Sequence, residues 1–168
     1  MFATHITTIL TRELRALARE LKAYPDDDAV WRTFPGVLNS AGTLVLHLTG
    51  NIQHYVGAVL GGTTYRRDRA AEFARREVPR RELAEEIERA IAAVHDALPH
   101  LAEEALHGDY PRAVADRTVA TDEFLLHLVS HLSWHLGQVD YHRRMVTGQP
   151  GKIGAVAVGE LASARPAA

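Results

Sequence analysis

Two histidines, His131 and His135, stand four residues apart in LLHLVSHLSWHLGQVDYHRRMVTG, positions 125–148. On an α-helix this spacing puts both imidazoles on one face, about 6 Å apart along the axis, within reach of a single divalent cation. A third candidate ligand, His47, lies in LVLHLTGNIQHYVGAVLGG, positions 44–62. Three imidazoles leave coordination positions open, as a catalytic site requires, and an ion held that way lowers the pKa of a bound water or thiol. The chain has no cysteine, so thiolate ligands, disulfides and a cysteine nucleophile are excluded, and any reacting thiol must arrive with a cofactor or substrate. Spacing alone leaves a second register open, with His127 and His131 as the pair. His54 and His142 are not assigned by spacing, while His5, His95, His100 and His107 read as surface residues.

These side chains need helices to position them, and the apolar spacing is helical almost throughout. Ile6, Leu10, Leu14, Leu17 and Leu21 mark a first helix that ends at Tyr24-Pro25. Asn39 or Ser40 caps a second, striped by Leu44, Leu48, Ile52, Tyr55 and Val59 and stopped by Gly61-Gly62. A long charge-rich connection follows, with room for one helical turn. Pro79 suits the first position of a third helix, striped by Leu83, Ile87, Ile91, Val94 and Leu98, with Pro99 kinking or splitting it. The fourth runs from about Asp122 to Thr147, with Thr121 at its start and Gly148 as its stop. The expected fold is an all-α four-helix bundle in one domain, residues 1–150, with residues 151–168 as a C-terminal tail.

At 100° per residue, Ser130, Ser133, Gly137, Asp140 and Arg144 gather on one side of the fourth helix, read as its solvent face. The opposite side carries Phe124, Leu128, His131, His135, Val139 and His142, which predicts both histidines at the centre of the core-facing stripe. Each imidazole buried without a partner would cost about 1–3 kcal/mol, so something must compensate the pair. On the second helix, Thr49, Gln53 and Gly57 read as the outer face. Asn51 falls on the inner one, with His47 at its edge.

The formal net charge of −2 gives no uncompensated basic surface for nucleic acid. The N-terminus lacks the apolar run of a secretory signal, and no segment approaches the roughly 20 apolar residues that span a bilayer. The expectation is a cytoplasmic protein with a small-molecule partner and neither nucleic acid nor membrane.

The segment around His131, His135 and Gly137-Gln138 resembles the last bundle helix of the DinB/YfiT-like superfamily, whose pattern is a His, three residues, a second His, then Gly-Gln two residues on. The family's remaining ligand corresponds to His47, and TYRRDRAAEF at 64–73 is similar to one uncharacterised branch. The resemblance covers roughly residues 40–150. It implies an up-down-down-up bundle, nickel or zinc on three histidines, and a homodimer. For some relatives it also implies a low-molecular-weight thiol, such as bacillithiol or mycothiol, bound at the metal and transferred to an electrophile.

Three functional expectations follow. The first is a thiol-dependent S-transferase whose metal, on His47, His131 and His135, activates a small thiol. The second is a non-catalytic bundle in which metal or small-ligand binding is structural or stress-related. The third is a metal-dependent hydrolase using activated water. Asn51, Gln138, His54 and Arg69 are candidates to orient the ligands or bind substrate, although Asn51 and Gln138 equally suit an ordinary buried hydrogen-bonded pair. The run Arg66, Arg67, Asp68, Arg69 and Glu72 could close over the pocket mouth and offer guanidinium groups to an anionic thiol, or form a solvated face. Trp134 and Tyr141 suit helix packing or a dimer interface.

Overall fold

In the computed structural model, which describes all residues except 152 and 168, the regular elements are helices. The first long helix, α1 (Phe2–Lys22), buries Ile6, Leu10, Leu14, Leu17 and Leu21. Asp26 then caps a short α2 (Asp27–Trp31), its carboxylate accepting from the Ala29 N–H at 2.8 Å. Ser40 starts α3 (Ala41–Ile52), and its hydroxyl accepts from the Thr43 N–H. The helix continues from Gln53 to Leu60 with the wider π-helical register and stops at Gly61 and Gly62, the latter at a φ of 69° that suits glycine.

The charged connection holds one short helix, α4 (Arg69–Ala74), capped by Asp68. The third long helix, α5 (Arg80–Ala97), begins just after Pro79. Pro99 does not kink it: the helix has ended by then, and Leu98–His100 forms a 3₁₀ turn. After α6 (Glu103–His107), the bonds from Tyr110 N–H to the Val119 carbonyl and from Thr121 N–H to the Gly108 carbonyl close a loop onto the start of α7 (Thr121–Thr147). Ala120, not Thr121, holds the cap position of α7, and Asp122 and Glu123 sit in its first turn. Gly148, at a φ of 66°, ends it.

The four long helices form the bundle. α1 packs on α5 and α7, and α3 packs on the same two, so α1 and α3 lie across a diagonal. Consecutive long helices that are not neighbours need long connections, which is why α2 and α6 exist as bridging segments. The core runs continuously through Leu10, Leu14, Leu48, Leu83, Ile87, Leu128 and Leu132.

Two helix faces differ from the sequence expectation. Every residue of α3 is buried, and Thr49, Gln53 and Gly57 are covered too. The cover comes from α4 and α5: the Gln53 amide donates to Glu86 at 2.9 Å, and Gly57 lies where a Cβ would press on Ala93. On α7 the buried residues are Thr121, Phe124, Leu125, Leu128, Leu132, Leu136, Val139, His142 and Arg143. Phe124, Leu128, Val139 and His142 are thus buried as expected, but the stripe is centred on the leucines, turned by roughly 45° from the one drawn through the histidines. His131 and His135 are therefore half-buried at the stripe's edge, on the flank beside α3. Asp140 and Arg144 are half-buried as well, whereas Ser130, Ser133 and Gly137 do face solvent.

Beyond α7 the chain returns to α1. The Arg19 guanidinium donates to the carbonyls of Ile153 and Gly154, and Arg12 donates to that of Ala157. No described helix is long and apolar enough to cross a membrane.

Candidate metal centre

The packing of α3 on α7 brings His47, His131 and His135 together, with one ring nitrogen of each within 4.8 Å of the others. The Nε2 atoms of His47 and His131 lie 3.1 Å apart, and the ring of His135 is 4.7 Å from that of His131 and 5.4 Å from that of His47. His127 stacks beside His131 at 6.2 Å but stays exposed and outside the cluster.

Hydrogen bonds fix the tautomers. His47 Nδ1 lies 3.0 Å from a Glu72 carboxylate oxygen. Burial pushes the Glu72 carboxyl up, but bonds from His47 and Arg67 outweigh it and hold the group below the usual carboxylate range. An ionised carboxylate only accepts, and its contact is shorter than the 3.3 Å from an Arg67 nitrogen to the same Nδ1, so His47 carries its proton on Nδ1 and turns the Nε2 lone pair inward. His135 Nδ1 lies 2.8 Å from the Gln138 amide oxygen, which likewise only accepts, so its Nε2 is free. The His47 lone pair facing a second ring nitrogen at 3.1 Å needs a proton or a cation between them. The donor set therefore fits a divalent ion with nitrogen preference, each ring held by an outer hydrogen bond in the manner of metal-ligating histidines. Burial first, then the neighbouring imidazoles, lower the pKa of His131 to about 4; burial also lowers that of His135. Both rings are then neutral near pH 7, as ligation requires.

Glu72 reaches this position from α4 because Gly50 of α3 faces it without a side chain; a Cβ there would fall on the carboxylate. Arg67 clamps Glu72 from the other side, with Nε at 2.6 Å from one oxygen and a terminal nitrogen at 2.9 Å from the other. Phe73 packs on the His47 ring at 4.9 Å.

The remaining candidates are placed as follows. Gln138 is exposed and holds His135 from the solvent side, rather than from within. Asn51 is buried one turn beyond His47, and its Oδ1 has no partner among the described residues, so the two amides do not pair. His54 is half-buried further along the same helix, on the wall of a neighbouring cavity. Arg69 lies over the Phe73 ring at 5.2 Å and does not reach the histidines. His142 is a satisfied core residue: Nε2 donates to the Arg32 carbonyl and Nδ1 accepts from the Tyr24 hydroxyl, both at 2.7 Å.

A sequence profile of the family described as a protein of unknown function, DUF1572, matches residues 4–160. The chain belongs to the DUF1572 family. Its fold is shared by a solved DinB-like protein from Bacillus cereus, with a TM-score of 0.63 and 18% identity over 80% of this chain and 86% of the other. The fold that the resemblance implied, an all-helical bundle like that of a DinB-like protein, is therefore the one observed. No curated protein matches the sequence.

Glu72 and Arg67 are residues of this DUF1572 protein that sequence reasoning read only as part of a charged run, either a cover for the pocket mouth or a solvated face, and not as holding a ligand. A signal was present: between 63 and 76 the only acids are Asp68 and Glu72, and Asp68 caps α4, which leaves Glu72 free for another task. Glu72→Gln should keep the protein folded while weakening metal binding about 10–100-fold, the usual cost of losing an orienting partner. Competition with a chromophoric chelator measures it. An unchanged affinity would remove Glu72 from the site.

Proposed function

We propose that this DUF1572 protein is a metal-dependent enzyme, a thiol-dependent S-transferase that holds nickel or zinc on His47, His131 and His135. The observation that carries the proposal is a centre with three imidazole donors, two of them half-exposed, and no fourth ligand in the cluster among the described residues. A bound divalent ion would supply Lewis acidity, keeping a small thiol deprotonated near neutral pH. The protein's own residues do the rest. Glu72, clamped by Arg67, holds the Nδ1 proton of His47, and Gln138 holds that of His135, so both rings keep their lone pairs aimed at one point. Phe73 shields His47 on one side. Asn51, one turn from His47 and with a buried oxygen that has no partner among the described residues, supports a role in orienting a reactant.

The test is spectroscopic. A cobalt- or nickel-substituted sample titrated with glutathione, bacillithiol, mycothiol and coenzyme A should gain sulfur-to-metal charge transfer with at least one of them. Asn51→Ala should leave the metal bound and weaken that response. If no thiol changes the spectrum, the S-transferase reading fails and water activation or a structural ion takes its place.

A further inference from the structure

A cavity of about 740 Å³, a size that suits a ligand as large as a tripeptide, shares Arg67 with the hydrogen bonds that hold the histidine centre. One wall is the π-helical stretch of the α3 continuation, through His54, Ala58 and Val59; the others come from residues 63–67 and from Pro111 and Arg112. A π-helical turn widens the helix and recurs at functional sites. The lining contains three guanidinium groups, Arg66, Arg67 and Arg112, and no carboxylate. Arg67 spends its charge on Glu72, but Arg66 and Arg112 have no ion-pair partner among the described residues. The loop carrying Arg112 is fixed: the Tyr110 hydroxyl donates to the Tyr55 carbonyl at 2.6 Å, and its ring packs edge-on against Phe124.

We propose that this cavity binds the anionic end of a small organic substrate, an oxyanion held by Arg66 and Arg112, while the reacting end reaches the histidine centre. The assignment rests on the metal-dependent reading above and names its substrate class. Two unpaired guanidiniums on a concave wall form a recognition site for a carboxylate or a phosphate, which a fork of N–H donors matches better than a point charge does. The His54 Nδ1 is buried without a partner, which favours the neutral tautomer with an Nε2–H to donate. Its pKa is lowered, first by burial and then by the charges of Arg67 and Arg112, against an opposing effect of Glu72. Ala58, Val59 and Pro111 offer apolar surface for the body of the ligand. Arg67 lines the cavity and also clamps Glu72, the carboxylate that orients His47, so cavity and centre share a residue.

The experiment uses the nickel-loaded protein and four probes: glutathione, its diethyl ester, S-methylglutathione and inorganic phosphate. Glutathione is expected to bind about tenfold or more tightly than its ester, and S-methylglutathione, which has no free thiol, is expected to bind as well. Arg66→Gln and Arg112→Gln, both at exposed positions, should each weaken S-methylglutathione about tenfold without changing metal stoichiometry, and Arg112→Lys should recover part of the loss. Binding should also weaken as salt is raised in the unsubstituted protein. If phosphate alone shows the arginine dependence, the anion is a phosphate end. If glutathione and its ester bind equally and neither substitution changes any probe, the anion site is overturned, even where the charge-transfer band appears. If S-methylglutathione binds with arginine dependence but no thiol gives the band, the anion site stands and the S-transferase reading falls.

Discussion

Replacing His135 by alanine should take the protein from one bound divalent ion per chain to essentially none. His135 is one of three donors in the cluster among the described residues, and its Nε2 is available because Nδ1 is committed to Gln138. Removing it leaves two imidazoles and should cost more than the roughly 10–100-fold expected when an orienting group such as Glu72 is lost. Elemental analysis of protein purified without a histidine tag gives the answer, and one ion per chain in the variant would show the ligand set to be wrong. Protons should do reversibly what the substitution does permanently. Reference imidazole values alone predict release below about pH 6. Burial beside other imidazoles lowers the pKa of His131 to about 4, so its proton competes with the ion only at lower pH, and release should move below that reference range. The same shift sets the stability of the metal-free protein. The unfolded chain takes up a proton near pH 6.5 and the folded His131 only near 4, so the unfolded state binds more protons in between. His131's contribution is fully present above about pH 6.5 and is lost as pH falls to about 4. Urea midpoints across this range that stay flat would contradict that placement.

Arg143→Leu should be the most destabilising single change outside the apolar core. Arg143 is 2% exposed and donates to Glu20 at 2.9 Å, to Asp140 at 2.9 Å, and to the carbonyls of Gln149 and Gly151 at 2.8 Å. Glu20 is 1% exposed, and burial, opposed by Arg143, raises its carboxyl above the usual range. Removing the arginine leaves a buried carboxyl without its cation and two carbonyls without donors. The expected loss is about 3–5 kcal/mol, or roughly 6–20 °C in Tm for a protein of this size. Chemical denaturation measures it, and adding Glu20→Leu should return part of the loss because the stranded carboxyl is gone. A change below about 1 kcal/mol in the single variant would mean that water already satisfies Glu20.

Both results turn on features that sequence periodicity carries unevenly. The extents of the long helices were legible because each depends on its own residues: apolar side chains at steps of three and four, Ser40 as a cap, and Gly61 and Gly148 as stops. The pairing of His131 with His135 was legible for the same reason, since an i, i+4 spacing fixes their relation within one helix. The azimuth of α7 was not. A helix with Leu at 125, 132 and 136 beside the histidines offers two overlapping faces, and only packing against α1 and α3 selects the leucine-centred one, leaving His131 and His135 at the edge and open to solvent.

Tertiary structure alone also decided how the ligands are held. Glu72 and Arg67 sit in a connection without periodicity, and their approach to His47 depends on α4 lying over a bare Gly50. Arg12, Arg19 and Arg143 each also donate to backbone carbonyls of the segment after α7, groups that every residue carries and that no side-chain pattern marks. The sequence by itself determined the helices and the donor types. The choice of donors that meet, the carboxylate that orients them and the arginines lining the cavity were decided by packing, because each depends on residues 20 or more positions apart being brought into van der Waals contact.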